Sequence, residues 1–302
     1  MSKLYILDGG MSRELVRLGA ELKQPEWSAL ALINSPEIVR KVHDEFILAG
    51  SDVVTTNSYA LVPFHIGEER FWKEGAALIA RSGQLAREAA DACQERKVLV
   101  AGSLPPIFGS YEPQNFDPLK VQDYLKVLVE NLDPYVDVWL GETLSLIAEG
   151  AAVRTATAAT AKPLWISFTL ADDMAQRNGG EPKLRSGELV EDAAIWAASS
   201  GAKALLFNCS KPEVMQLAVE LAARVFSNRR ATLDIGVYAN AFEGEQGDSA
   251  ANEGLHKTRN DLNDDTYSRF ACSWADAGAT MIGGCCGVGA GHIHRLRQVL
   301  LG

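Results

Sequence analysis

The sequence is poor in cysteine and has no long hydrophobic run. Its 302 residues include five cysteines, too few and odd in number for a disulfide framework, which favours a reducing compartment. No window approaches 18 uninterrupted apolar residues, and the first residues, MSKLYILDGG, lack the basic and apolar segments of a signal peptide. We therefore expect a cytoplasmic protein that has no membrane partner.

Blocks of basic residues are also missing. The net charge is -10, and the acidic residues are scattered among the basic ones. Nucleic-acid binding needs a basic stripe that neutralises phosphates, so we expect no nucleic-acid partner. The hydrophobic content of 47% is sufficient for a large buried core.

Short β-branched runs alternate with stretches of helical periodicity along the whole chain. We predict strands at 3–8, 52–57, 97–103, 136–142, 164–169, 203–208, 234–240 and 279–284. Helices are expected near 36–49, 69–92, 118–132, 145–161, 187–200, 211–226, 264–277 and 289–300. Eight such units without a linker predict one α/β domain over 1–302, a single (β/α)8 TIM barrel.

In such a barrel, residues at the C-terminal ends of the strands converge, and the functional site is expected there. Two of these ends carry cysteine, namely Cys209 and the adjacent pair Cys285 and Cys286. Three sulfurs suit Zn²⁺, which leaves a fourth position for an exchangeable ligand. Glycines on both sides of the pair allow a bend through which neighbouring side chains reach one ion.

Other interpretations of the cysteines remain open. Buried free cysteines are common core residues, which is how we interpret Cys93 and Cys272 within helical patterns. A strained vicinal disulfide between Cys285 and Cys286 is the main alternative to a metal site. The glycine-rich segment 287–291 is only a weak phosphate-binding signal, because its spacing departs from GxGxxG.

Several motifs together resemble one known family. They are DGGMSREL at 8–15, TTNSYA at 55–60, GET at 141–143, FNCSKP at 207–212, VYAN at 237–240 and GGCCGVGAGHI at 283–293. In this order they are similar to the zinc-dependent homocysteine S-methyltransferases, which use betaine, S-methylmethionine, S-adenosylmethionine or folate-linked donors. The resemblance covers nearly the whole chain.

The resemblance implies a (β/α)8 barrel in which Cys209, Cys285 and Cys286 bind zinc and the thiol of homocysteine becomes the fourth ligand. It implies that Glu142 holds the ammonium group of the substrate and that Asn240 lies next to the metal. The other implied substrate-binding residues are Asp8, Gly9, Gly10 and Asn57. No catalytic side chain is expected beyond the zinc-activated substrate thiol.

Cationic donors fit this chemistry, since a thiolate that attacks a sulfonium or quaternary ammonium methyl neutralises opposite charges. We expect S-methylmethionine or S-adenosylmethionine first and betaine next, with Tyr59, Phe108 and Tyr111 as candidate onium contacts. The segment 170–187 is expected to close over substrate. The sequence differs from the usual family pattern at Ala239, Val288 and Ala290.

Three alternative functions remain open. One is methylation of another small thiol or selenol, which stays open because positions 288 and 290 differ from the usual family pattern. Another is a zinc hydrolase, which would want histidine or carboxylate ligands. The third is a non-enzymatic metal or thiol binder, which would not need Glu142.

Overall fold

The computed structural model describes residues 3–173, 175, 178–242 and 259–302. Eight parallel strands form one sheet in the order β1-β8-β7-β6-β5-β4-β3-β2. The strands are β1 Tyr5–Ile6, β2 Val53–Thr55, β3 Leu99–Leu104, β4 Val138–Leu144, β5 Leu164–Thr169, β6 Ala204–Asn208, β7 Asp234–Ala239 and β8 Met281–Gly284. The predicted (β/α)8 barrel is confirmed, and each strand lies at or within two residues of its expected position.

The larger helices that follow these strands cover the outside of the barrel. They are Pro36–Ala49, Ala76–Ala92, Val121–Leu132, Ile147–Thr157, Val190–Ser200, Pro212–Arg229, Asp264–Asp276 and Ala290–Leu301. Within the described part of the chain, no helix has both the length and the apolar character needed to cross a bilayer. The expectation of a cytoplasmic location stays a prediction.

The first connection contains two helices that hydrophobic periodicity did not predict, Met11–Arg17 and Ser28–Asn34. Each has only seven residues, too few for a clear apolar period. The expected helix at 69–92 is also interrupted, because Phe71–Gly75 forms a π-helical turn before Ala76–Ala92 begins. In the segment 170–187, residues 174, 176 and 177 lie outside the described residues, so its expected closure stays a prediction.

The two ends of the sheet meet at Asp52, just before β2. Its backbone N–H donates to the Ile6 carbonyl at 2.7 Å, and its Oδ2 accepts the Ile6 N–H at 3.0 Å. Asp52 Oδ1 also accepts a hydrogen bond from Arg297 Nη1 at 3.0 Å. The C-terminal helix therefore helps to hold β1 against β2.

Strand alternation divides the core into two layers. On β6, Leu205 and Phe207 face the surrounding helices, whereas Ala204 and Leu206 fill the barrel interior. The interior layer also contains Val53, Ala101, Val138, Leu140, Trp165, Tyr238 and Met281. On four strands the next inward-facing position, two residues further along, is polar and lies at the C-terminal mouth. These residues are Ser103, Glu142, Ser167 and Asn208. The barrel interior is therefore filled by apolar side chains, with a buried polar layer above them at the C-terminal mouth.

Candidate metal centre and substrate pocket

The structure brings the three predicted sulfur ligands together. The Sγ atoms of Cys209, Cys285 and Cys286 all lie within 4.8 Å of one another. Cys209 Sγ is 2.7 Å from Cys285 Sγ, which is 4.0 Å from Cys286 Sγ. All three cysteines are free, so the vicinal disulfide considered from the sequence is not formed.

The donor set fits a tetrahedral Zn²⁺ ion. Zn–S bonds of about 2.3 Å place sulfur ligands roughly 3.8 Å apart, close to the 4.0 Å between Cys285 and Cys286. Cys209 and Cys285 would have to separate by about 1 Å to meet the same geometry. The described part of the chain has no other cluster of three histidine, cysteine or acidic ligands with this proximity.

The thiols also interact electrostatically. Hydrogen bonds from Cys285 and Cys286 hold the pKa of Cys209 well below its usual range. The same interactions and burial raise the pKa of Cys285. A single thiolate is thus stabilised by its neighbours, whereas three adjacent thiolates require a cation.

A tight turn after β8 places the cysteine pair. Gly287 has φ +86°, a left-handed conformation that favours glycine. A Cβ atom on Gly284 would lie 2.0 Å from Val288 Cγ1, so this turn has no space for a side chain there. Cys285 N donates to Ala239 O at 2.9 Å, which fixes the turn to the end of β7. Val288 is buried against Gly284. Val288 therefore has a packing role, although the sequence differs from the usual family pattern at this position.

The sulfurs lie in the wall of a cavity of about 140 Å³ at the C-terminal mouth of the barrel. Five of the six predicted substrate-binding residues line the same cavity, namely Asp8, Gly9, Gly10, Asn57 and Glu142. The sixth, Asn240, is not among the lining residues. Its N–H donates to Ser210 O at 3.0 Å, and its Oδ1 is buried without a hydrogen-bond partner.

Two buried carboxyl groups make the cavity receptive to cations. Burial raises the pKa of Glu142 to about 8, although Ser103 Oγ donates to its Oε1 at 2.5 Å. Burial likewise raises the pKa of Asp8 to about 7, against hydrogen bonds from the Thr55 N–H and hydroxyl. A ligand cation would favour the charged form of either carboxyl and lower its pKa.

Comparison with known proteins agrees with this site. Residues 5–300 match the pattern of the family described as homocysteine S-methyltransferase. The chain belongs to that family.

Relatives and a solved structure cover nearly the whole chain. Homocysteine S-methyltransferase 1 of Arabidopsis thaliana is 31% identical over 93% of this chain and 88% of that protein. The selenocysteine methyltransferase of Astragalus bisulcatus is 28% identical over the same shares. The metallated form of the homocysteine methyltransferase MmuM from Escherichia coli is 28% identical, with a TM-score of 0.76 and coverage of 99% of this chain and 97% of that one.

Two predicted contacts of this homocysteine S-methyltransferase family member are already occupied within the protein. The Gly10 N–H donates to Val288 O at 2.8 Å, so it is not free to bind a substrate carboxylate. A Cβ on Gly10 would lie 2.5 Å from Cys285 O, which explains the glycine by close packing. Asn57 Nδ2 donates to Ser28 O at 3.2 Å and holds the part of the cavity wall formed by Trp27 and Ser28.

The aromatic candidates separate into two groups. Tyr59 and Tyr111 line the cavity, and the Tyr111 hydroxyl donates to Cys209 O at 3.2 Å. Phe108 instead packs against Tyr124, with ring centres 5.9 Å apart, and is not among the lining residues.

The interactions that support the polar layer could not be predicted from the sequence. Tyr238 OH lies 3.4 Å from Glu142 Oε2, and the Asn208 side chain is bonded to Thr143 on β4 and Ser167 on β5. The strand-end positions of Asn208 and Thr143 were visible in the sequence, but their mutual contact depends on the barrel register. Arg13 and Trp27, which also line the cavity, lie outside strand ends.

Proposed function

We propose that the protein transfers a methyl group from a sulfonium or quaternary ammonium donor to the thiol of homocysteine, giving methionine. The observation that carries this proposal is the cluster of three sulfurs in the wall of a cavity that also contains buried Glu142. Membership of the homocysteine S-methyltransferase family supports the reaction class.

Cys209, Cys285 and Cys286 would hold a Zn²⁺ ion. Bound zinc supplies deprotonation of the acceptor thiol, whose pKa near 8.5 otherwise leaves it mostly protonated at neutral pH. The buried Asn240 Oδ1 without a partner, located beside the β7 end to which Cys285 is bonded, is a further polar atom suited to a site near a cation. The metallated form of MmuM supports a metal in this family.

Glu142 would bind the ammonium group of homocysteine. Ser103 and Tyr238 hold its two carboxylate oxygens, so the side chain is oriented before the substrate arrives. A charge-assisted hydrogen bond of this kind contributes about 1.5–3 kcal/mol when it is sheltered from water. Asp8 adds a second acceptor beside the C-terminal end of β2, where the Thr55 N–H and hydroxyl donate to it.

The methyl donor would enter an acidic, partly aromatic cavity. The acceptor sulfur attacks the methyl carbon in line, a new C–S bond forms, and the bond from carbon to the donor sulfur or nitrogen breaks. The bonding electron pair remains on the leaving atom, which becomes neutral. Tyr59 and Tyr111, which line the cavity, would contact the onium group through their rings. S-methylmethionine and S-adenosylmethionine are the preferred donors, followed by betaine.

A selenol is the second candidate acceptor. A relative that covers 93% of this chain is the selenocysteine methyltransferase of Astragalus bisulcatus, and selenolate chemistry would use the same metal and cavity. By contrast, the described metal cluster contains only cysteine sulfur, which does not favour a zinc hydrolase with histidine or carboxylate ligands.

The proposal is tested by product formation in the purified zinc-loaded protein. Wild type should form methionine from homocysteine with S-methylmethionine, S-adenosylmethionine or betaine, and Cys285→Ala should lose both zinc and activity. Cys272→Ala, a change outside the cavity in the helix Asp264–Asp276, is the matched control and should retain both. Absence of methionine with every donor, in wild type that contains zinc, would reject the proposal, and selenocysteine methylation alone would select the second candidate.

A further inference from the structure

Arg13 is a cavity residue whose guanidinium has no ion-pair partner among the described residues. It lines the same cavity as the three cysteines, and its Nε is buried without a hydrogen-bond partner. Across the described residues, the side chain makes neither an ion pair nor a hydrogen bond through its other nitrogens. The guanidinium lies over the ring of Phe242, whose centre is 5.4 Å from the guanidinium carbon.

Other arginines with a buried, unsatisfied Nε differ from Arg13 in one respect. Each has a carboxylate within ion-pair distance, and these pairs are Arg87 with Asp137, Arg96 with Asp52, Arg185 with Asp172, and Arg295 with Asp265. Within the described part of the chain, Arg13 is therefore the member of this group that has no carboxylate within ion-pair distance.

The guanidinium lies on the side of the cavity that carries the cysteine turn. Phe242 lines the cavity with Arg13, and a Cβ atom on Gly287 would lie 3.3 Å from Phe242 Cδ1. Gly287 directly follows Cys286. An anionic group of a ligand bound near the metal centre would therefore be within the same enclosed space as this cation.

A buried guanidinium nitrogen without a hydrogen-bond partner is unfavourable unless a ligand supplies the acceptor. The carboxyl groups in the cavity wall, Asp8 and Glu142, suit the positive charges that the proposed donor and acceptor both carry. Both also carry a carboxylate when they are amino acids, and betaine carries one too. A guanidinium pairs with a carboxylate through two parallel hydrogen bonds, which gives geometric selectivity as well as affinity.

We propose that Arg13 binds the carboxylate of one of the two substrates and selects for substrates that bear one. The inference rests on the proposed methyl transfer and adds a specificity-determining residue to it. The carboxylate belongs either to the acceptor or to the donor, and both would be recognised by the same chemistry. The Gly10 N–H is bonded to Val288 O and is not available to a substrate carboxylate, whereas the Arg13 guanidinium lies in the same cavity.

The test compares Arg13→Gln, which removes the charge, with Arg13→Lys, which retains it. Arg17→Gln is the matched control, because Arg17 belongs to the same helix but pairs with Glu14 and Glu45 outside the cavity lining. Steady-state kinetics of the zinc-loaded protein would use homocysteine and S-methylmethionine. Two analogues without a carboxylate, 3-mercaptopropylamine and trimethylsulfonium, would replace the acceptor and the donor in turn.

Arg13→Gln should raise KM for the carboxylate-bearing substrate that Arg13 binds by roughly 10- to 100-fold, with a smaller change in kcat. The variant should use the matching analogue as well as wild type does, and Arg13→Lys should recover part of the loss. The affected partner, acceptor or donor, identifies the source of the carboxylate. Unchanged KM for both substrates, or an equal loss with the analogue, would overturn the proposal.

Calorimetric titration separates this inference from the proposed reaction. Homocysteine and S-methylmethionine would each be titrated into the zinc-loaded wild type and Arg13→Gln. Weaker binding of one of them to the variant supports the carboxylate site, even where wild type forms no methionine, a result that would reject the proposed function alone. Equal binding of both ligands to the two proteins contradicts the carboxylate site.

Discussion

Asn208 and Thr143 form a reciprocal pair of hydrogen bonds across the mouth of the barrel. Asn208 Nδ2 donates to Thr143 Oγ1 at 2.9 Å, and the Thr143 N–H donates to Asn208 Oδ1 at 3.0 Å. Asn208 immediately precedes Cys209, and Thr143 immediately follows Glu142. One buried amide therefore connects the strand that supplies a sulfur to the strand that supplies the carboxylate.

The pair stabilises an unusual backbone on β4. Thr143 has φ +59°, which a β-branched residue rarely adopts, and the register between β4 and β5 shifts between Gly141 and Leu144. Such bulges redirect side chains beside functional sites. Asn208 also accepts a hydrogen bond from Ser167 Oγ at 2.7 Å, so it satisfies polar groups on both β4 and β5.

We predict that Asn208→Ala lowers kcat/KM for methyl transfer about 10- to 100-fold, since Glu142 and Cys209 lose their common support. Unsatisfied groups on Thr143 and Ser167 should also reduce the free energy of unfolding by about 1–3 kcal/mol. Asn131→Ala is the control, because the Asn131 side chain donates to Val127 O in its own helix, away from the cavity lining. Kinetics and denaturant unfolding measure the two effects, and wild-type values for Asn208→Ala would refute the positioning role.

Gly284→Ala should disrupt the turn that places the cysteines. The added Cβ would meet Val288 Cγ1 at 2.0 Å, so we expect lower zinc content and a lower melting temperature. Val288→Gly in the same chain should restore part of both, because it removes the Cβ and both methyl groups, which the new Cβ would otherwise meet at 2.0–2.7 Å. Gly75→Ala is the control, since its nearest new contact is an ordinary 3.4 Å. Equal zinc content in wild type and Gly284→Ala would contradict the packing explanation.

The buried Glu142 carboxyl should make the metal-free, ligand-free protein less stable as pH rises. Its folded pKa is about 8, above the ordinary 4.5, so the folded state binds the proton more tightly than the unfolded state. The free energy of unfolding should therefore fall as the pH rises from about 5 to about 8. Glu142→Gln lacks this titration, so its free energy of unfolding should rise relative to that of wild type by about 1–3 kcal/mol across that range. Unfolding curves at pH 5.5, 7 and 8.5 measure the difference, and a constant difference would contradict the burial effect.

Asp52 should contribute to stability without affecting the reaction. Asp52→Ala removes the acceptor for the Ile6 N–H and Arg297 where β1 meets β2, and we expect a loss of about 2–4 kcal/mol in the free energy of unfolding. Glu130→Ala, which breaks an exposed pair with Lys126, should cost less than about 1 kcal/mol. KM for homocysteine should stay at the wild-type value in both variants. A large rise in KM for Asp52→Ala would contradict this prediction and show that the contact between β1 and β2 also shapes the cavity.

The sequence was informative where chemistry follows from position along a strand. Alternating strand and helix patterns predicted the barrel, and the convergence of strand ends brought Cys209 towards Cys285 and Cys286. Contacts that depend on register between strands could not be predicted, and the Asn208–Thr143 pair is one of them. The unpaired side chain of Arg13 could not be predicted either, because it depends on which of the described residues surround a helix of only seven residues.

The most direct test of the account is the number of sulfur ligands around zinc, measured by X-ray absorption spectroscopy of the purified protein before and after homocysteine is added. We predict one zinc ion per chain with three sulfur ligands from Cys209, Cys285 and Cys286, rising to four when homocysteine binds. A zinc site with histidine or carboxylate ligands, or a sulfur count that does not rise with homocysteine, would contradict it.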